Sequence, residues 1–115
     1  MKVSIKRVYE EASRGDGKRI LVDRLWPRGL TKAEARIDLW LKEIAPSATL
    51  RKWFGHEPSR WEEFKKRYSA ELEKSNEHVS LLKRELSAGK VTLVYGAKDQ
   101  AHNGAIVVKE FLECK

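Results

Sequence analysis

Cysteine is almost missing from this sequence, with one residue, Cys114, among 115. A lone thiol closes no internal disulfide, so a reducing, cytoplasmic location is expected. It also sits beside the carboxyl end, where chains fray, which argues against a positioned nucleophile. Long apolar runs are missing as well. None approaches the roughly 20 residues that cross a bilayer, so no membrane association is expected. The opening Met1-Lys2-Val3-Ser4-Ile5-Lys6-Arg7 carries no apolar stretch of a secretory leader. Histidine is sparse and scattered, without Cys pairs or a His-x3-His spacing, so no dedicated zinc site is expected. A divalent cation on Asp23 or Asp99 stays compatible with the sequence, but no motif calls for one. There is no Gly-x-Ser-x-Gly elbow, no P-loop and no Gly-x-Gly-x-x-Gly fingerprint. The three prolines are dispersed, and neither a linker nor an internal repeat interrupts the chain.

What is there points to one folded domain over residues 1–115. Charged residues make up 36% and hydrophobic residues 41%, with four tryptophans, which excludes a disordered basic tail. Lysine and arginine number 24 against 17 acids, for a net charge of +7. The excess is uneven. Residues 1–36 hold 10 basic and 5 acidic residues, a net of +5, and the remainder is close to balanced. Such a bias suits an anionic partner, either a small molecule such as a nucleotide or phosphorylated metabolite, or a nucleic acid. Plain solubility is the simpler reading of the same charge.

Residues 2–9 alternate as a strand with one polar face, and Arg14-Gly15-Asp16-Gly17 is a turn signal. Ile20-Leu21-Val22 reads as a strand buried on both faces. The connector between them looks too short for a helical crossover, which predicts an antiparallel N-terminal pair. Thr31 and Glu34 form a capping box before a short helix. Residues 37–44 fit a strand or a helix and are read as a strand ended by Pro46. Ser47 can cap a helix over residues 48–54, with Gly55 as its stop. Ser59 and Glu62 suggest a second capping box, ahead of a helix burying Trp61, Phe64, Tyr68 and Leu72. Asn76 is placed to cap the next helix, which ends at Gly89. Residues 90–96 are the clearest strand, and Asn103 caps a last helix. Helical crossovers between strands predict a three-layer α/β domain with a mainly parallel sheet.

In such sheets ligands gather beyond the carboxyl ends of the strands. That rule selects residues 23–29, 45–50 and 95–103. In the first, Asp23 follows an apolar strand, where burial would raise its pKa. Arg24 and Arg28 offer planar forks of donors to a phosphate or carboxylate, and Trp26 between them could stack on a base. The alternative is an Asp–Arg pair closing the strand end over a core tryptophan. In the third, Lys98, Asp99, His102 and Asn103 precede a helix start, an environment that favours anions. Asp23, Asp99, His56 and His102 are the acid–base candidates, and Arg24, Trp26, Arg28, Ser47, Lys98 and Asn103 the binding candidates. Trp53 and Trp61 read as core.

The string Leu21-Val22-Asp23-Arg24-Leu25-Trp26-Pro27-Arg28-Gly29 is long and unusual. With Trp40-Leu41-Lys42-Glu43-Ile44-Ala45-Pro46-Ser47, Leu50-Arg51-Lys52-Trp53-Phe54-Gly55-His56, Trp61-Glu62-Glu63-Phe64-Lys65-Lys66-Arg67-Tyr68 and Thr92-Leu93-Val94-Tyr95-Gly96-Ala97-Lys98-Asp99, it resembles the short bacterial and archaeal branch of the domain of unknown function 488 family. The resemblance covers nearly the whole chain and implies a Rossmann-like α/β domain. It brings no catalytic role and no cofactor. The residues it marks are Asp23, Arg24, Trp26, Pro27, Arg28 and Gly29, then Pro46 and Ser47, then Lys98, Asp99 and Asn103. Larger relatives carry further sequence near the amino end, so the resemblance implies that part of their site is missing here.

The leading expectation is a protein that binds an anionic ligand at the strand ends and acts on it as an enzyme. Arg24, Arg28 and Lys98 would hold the anion. The alternatives are a non-catalytic nucleic-acid-binding module and a regulatory subunit that turns its basic face to an acidic protein.

Overall fold

The computed structural model describes residues 3–114. Four strands, β1 (Ser4–Arg7), β2 (Lys18–Leu21), β3 (Leu39–Trp40) and β4 (Val91–Tyr95), form one sheet in the order β1-β4-β2-β3. Every pairing is parallel. Between them run helices α1 (Lys32–Ala35), α2 (Ala48–Phe54), α3 (Trp61–Lys74) and α4 (Asn76–Ala88), with α5 (Gly104–Glu113) closing the chain. The last strand in sequence is therefore a central one in space. Its composition explains the place: all five residues, Val91-Thr92-Leu93-Val94-Tyr95, are buried, as a strand covered on both faces requires. Thr92 among them gives its hydroxyl proton to the Asp16 carbonyl at 2.7 Å.

The two sheet faces are covered unequally. Ile20, Val22, Leu93 and Tyr95 join the main core with Leu50, Phe54, Phe64, Tyr68, Leu82 and Val107 from the longer helices. Leu21 and Val94 point the other way, into a small cluster with Val8, Ala35, Trp26 and Trp40. Period-2 alternation along each strand sorts the side chains between the two. The spacing of Trp61, Phe64, Tyr68 and Leu72 puts all four on the buried stripe of α3, as expected. Tyr68 is sunk in the core and donates its hydroxyl to the Ile44 carbonyl at 2.6 Å.

The antiparallel N-terminal pair is not there. β1 and β2 do not touch, because β4 lies between them and runs parallel to both. A short connector requires an antiparallel pair only where neighbours in sequence are also neighbours in the sheet. Ten residues, 8–17, reach about 33 Å when extended, enough to cross two strand spacings of about 4.8 Å and return along a short strand without a helix. Asp16 holds that crossover in place. Its carboxylate meets Lys6 Nζ at 3.0 Å, Arg19 Nη1 at 2.6 Å and Ser13 Oγ at 3.0 Å, joining the connector to β1 and β2. Arg19 uses its other nitrogens on the carbonyls of Arg36 and Ala35. Gly17, at φ 65, passes so close to the chain at Lys90 that a Cβ would lie 2.4 Å from its carbonyl oxygen, and only glycine fits.

Three local expectations are also corrected. The strand over 37–44 shrinks to Leu39–Trp40, followed by a 3-10 turn over Lys42–Ile44. Ser59 lies inside a 3-10 turn, Pro58–Arg60, so α3 starts without the Ser59–Glu62 box. Pro58 opens that turn one residue earlier than the box would need. Asn76 is the first residue of α4 rather than its cap, and Ser75 precedes it without a side-chain bond. The boxes at Thr31–Glu34 and the caps at Ser47 and Asn103 form as read.

Burial pushes the Asp16 carboxyl up, but bonds from Lys6, Ser13 and Arg19 outweigh it and hold the group well below its usual 3.8. A depressed acid stabilises the fold fully above 3.8, and that contribution is lost as pH falls through the folded value. Asp16→Ala leaves Arg19 buried without its anion, and thermal unfolding should show a loss of about 3 kcal/mol. Asp16→Asn should flatten the acid limb of stability against pH; an unchanged acid limb would contradict this role.

Candidate functional site

The carboxyl ends of β2 and β4 lie side by side. Past the end of β2, the Val22 N–H still donates to the Val94 carbonyl at 3.1 Å, which carries Asp23 to the end of β4. There Asp23 Oδ2 accepts the Gly96 N–H at 2.7 Å. A Cβ at Gly96 would stand 3.2 Å from that oxygen, so a larger residue here would make the carboxylate give by a few tenths of an ångström. On the other side, Trp40 Nε1 donates to the Asp23 carbonyl at 2.7 Å. Asp23 is thus tied at its backbone by β3 and at its side chain by β4. Burial raises its carboxyl above the ordinary value, and the Gly96 bond offsets only part of the rise.

Beside this junction opens a cavity of about 430 Å³, within the range of small-molecule sites. Its sheet side is formed by Val22, Asp23, Arg24 and Leu25, with Ala45 and Pro46 after β3. α2 and the turn behind it supply Arg51, Lys52, Phe54 and His56, with Phe64 of α3 beside them. The β4–α5 loop adds Ala97, His102, Asn103 and Gly104. Phe54 and Phe64 stack at 4.3 Å and form an apolar wall. Leu25 is 69% exposed, an unusual place for a leucine, and stands at the rim. Gly55 (φ 52) and then His56 (φ 57) both take left-handed backbone. That turn brings His56 to the cavity, at a cost of about 1 kcal/mol for a non-glycine residue.

Asp99 organises the loop. Its Oδ1 accepts the N–H groups of Ala101 and His102 at 2.9 and 3.0 Å, and its Oδ2 meets His102 Nδ1 at 2.9 Å. Those bonds, the Ala101 amide foremost, hold the Asp99 carboxyl below its ordinary value. An ionised carboxylate only accepts, so Nδ1 carries the proton and Nε2 is the ring's other polar atom. The Trp61 ring meets the imidazole edge-on at 5.3 Å. Asn103 is buried, with Oδ1 on the Ile106 N–H at 3.1 Å and Nδ2 on the Asp99 carbonyl at 3.0 Å.

Of the residues singled out from sequence, Asp23, Arg24, His56, His102 and Asn103 line this one cavity, with Asp99 behind His102. The others stand elsewhere. Ser47 caps α2 and gives its hydroxyl to Glu71 at 2.6 Å. Trp26 turns into the small cluster, edge-on to Trp40, with Nε1 on the Leu30 carbonyl at 2.7 Å. Arg28 is exposed, and its carbonyl takes the Tyr9 hydroxyl. Lys98 is exposed and does not line the cavity, although its backbone lies within about 12 Å of the Asp23 carboxylate by chain length alone. Two lining cations went unremarked in sequence, Arg51 and Lys52. Their signal was positional: they lie four and five residues after Ser47, at the Pro46-Ser47 helix start that the strand-end rule had already selected. Arg51 Nε is buried with no hydrogen-bond partner among the described residues. Among the described residues no three of His, Cys, Asp and Glu gather closely enough to hold a metal ion.

The DUF488-N3i family model, described as the inactive DUF488-N3 subclade, matches residues 2–115. The chain belongs to that family. It is 42% identical to the uncharacterised protein YeaO of Escherichia coli K12 over 112 residues, 97% of either chain. It is 39% identical to the uncharacterised protein Rv3073c of Mycobacterium tuberculosis over 111 residues, 96% of this chain and 93% of the relative. No solved structure matches. No helix among the described residues is long and apolar enough to cross a membrane.

An acid whose folded pKa lies above its unfolded value favours folding below the unfolded 3.8, and that advantage is lost as pH rises through the folded value. Asp23→Asn, which keeps an acceptor for Gly96, should therefore raise the melting temperature at neutral pH and leave it unchanged at pH 3. A lower melting temperature at neutral pH would show the charge to be stabilising instead.

Proposed function

We propose that this protein binds a small anionic ligand, a nucleotide or another phosphorylated molecule, in the strand-end cavity, as a binding protein rather than a covalent catalyst. The observation that carries the reading is the charge of the lining. Arg24, Arg51 and Lys52 face one carboxylate, Asp23, and no ion pair ties any of them to it. A concave, partly apolar site with cations left unpaired favours an anion with an apolar body. The first turn of α5 at Gly104 adds the positive end of a ten-residue helix. In fold terms we read the domain as a Rossmann-like three-layer sheet whose second face is thinly covered, with its ligand where such sheets hold theirs.

Two observations favour binding over chemistry. No serine, threonine, tyrosine or cysteine is among the described residues that line the cavity, so a hydroxyl or thiol nucleophile is missing from that lining. The family's description as inactive fits a site that retains its pocket without its chemistry. The nucleic-acid alternative has less support. The partly exposed Trp53 ring already carries two guanidinium groups, Arg60 at 5.4 Å and Arg67 at 4.2 Å, and Trp26 packs inward, so neither is an open stacking platform.

Thermal shift on the full chain tests the reading with inorganic phosphate, pyrophosphate and AMP. Ligand at ten times its Kd adds about 1.4 kcal/mol, a rise of roughly 4 °C or more for a domain this small. Arg51→Ala and Lys52→Ala should stay folded by circular dichroism and lose most of that shift. No shift with any anion, or an undiminished shift in both variants, would overturn the proposal.

A further inference from the structure

Two polar groups of opposite sign share the cavity without meeting. Asp23 Oδ2 is occupied by the Gly96 N–H, but Oδ1 has no partner among the described residues. It is not sealed off either, since among the described residues the one buried side-chain atom left unsatisfied is Arg51 Nε. No lysine, arginine or histidine among the described residues lies within ion-pair distance of Asp23, although Arg24 is its neighbour in sequence and lines the same space. Half-buried carboxylates are ordinarily paired. This chain shows as much at Asp16, where Lys6, Arg19 and Ser13 meet both oxygens. At Asp23 the backbone and one oxygen are instead held by Trp40 and Gly96, which place the carboxylate away from the cations of the same cavity.

We propose that the ligand is amphoteric, with an anionic group for Arg24, Arg51 and Lys52 and an N–H-bearing amino group for Asp23 Oδ1. This rests on the anion-binding reading and narrows it. A simple anion would satisfy Arg51 and leave the Asp23 carboxylate both unpaired and repelling it. A ligand carrying both polarities gives each group the partner the protein withholds. The apolar wall of Phe54 and Phe64, with Val22 and Pro46, then faces the ligand's carbon body. The amino group can belong to an aliphatic ammonium or to an aminated heteroaromatic base, since both donate N–H to a carboxylate.

Matched probes separate these sources and test the idea. Calorimetric titration of the full chain would compare 2-aminoethyl phosphate with ethyl phosphate, and AMP with purine riboside 5′-monophosphate. In at least one pair the aminated member should bind at least about tenfold tighter, and the pair that shows it names the source. Asp23→Asn should shrink that preference to about threefold or less while leaving affinity for the amine-free member equal or higher. Asp23→Ser, checked for folding by circular dichroism, repeats the test should the asparagine retain a useful acceptor. Equal affinities within both pairs, or a preference that survives both substitutions, would overturn the amphoteric ligand and leave anion binding intact. If no probe binds, or if Arg51→Ala weakens none of them, anion binding fails and this inference fails with it.

Discussion

The position of β4 is the constraint on which the rest of the molecule depends. The strand that is last in sequence is inserted between the first two, and it must be apolar on both faces to sit there. Its arrival sets the parallel direction of its neighbours and places the ends of β2 and β4 in contact. The Asp23–Gly96 bond, the cavity beside it and the loop leading to α5 all follow from that adjacency. Because β1 and β2 meet only through β4, the sheet cannot be completed locally. Contacts of such long sequence separation imply slow ordering of the site relative to the helices.

Two aspartates show how one sheet divides its labour. Asp16, near the start of β2, is buried with every oxygen matched, and its charge stabilises the crossover between β1 and β2. Asp23, beyond the other end of the same strand, is held by one amide and given no cation. The first arrangement is what burial of a charge ordinarily demands. The second costs stability and is understandable where a ligand supplies what is missing. Several cations of the basic first third serve the fold itself. Lys6 and Arg19 go to Asp16, Lys18 reaches Glu85, and Arg7 binds the Ala97 carbonyl and covers Tyr9. Of that segment's described cations only Arg24 lines the cavity, and Arg51 and Lys52 come from α2.

Much of the architecture was legible in the sequence, and the physical reasons differ by element. The α3 stripe and the caps at Thr31, Ser47 and Asn103 depend on residues within one or two turns, so spacing alone reveals them. The apolar run of β4 announced a buried strand, but not that it would part β1 from β2, because strand order is decided by contacts across the chain. The strand-end rule led to Asp23, Arg24, His102 and Asn103. Trp26 was misleading because an indole beside arginines looks the same in sequence whether it faces solvent or packs on Trp40. Arg51 was overlooked because a basic residue on a short helix ordinarily faces water, and only the fold shows its Nε buried at a cavity wall.

The central claim is that this cavity, and not the basic surface around Trp53, receives an anion. Proton–nitrogen correlation spectra recorded while AMP is added read both places at once, including the arginine Nε–H signals. Binding in the cavity predicts saturable shifts at Arg51 Nε, Gly96 and Gly104, with Arg60 and Arg67 Nε unmoved. Shifts concentrated on Arg60 and Arg67, or none at Arg51 as AMP saturates, would contradict it.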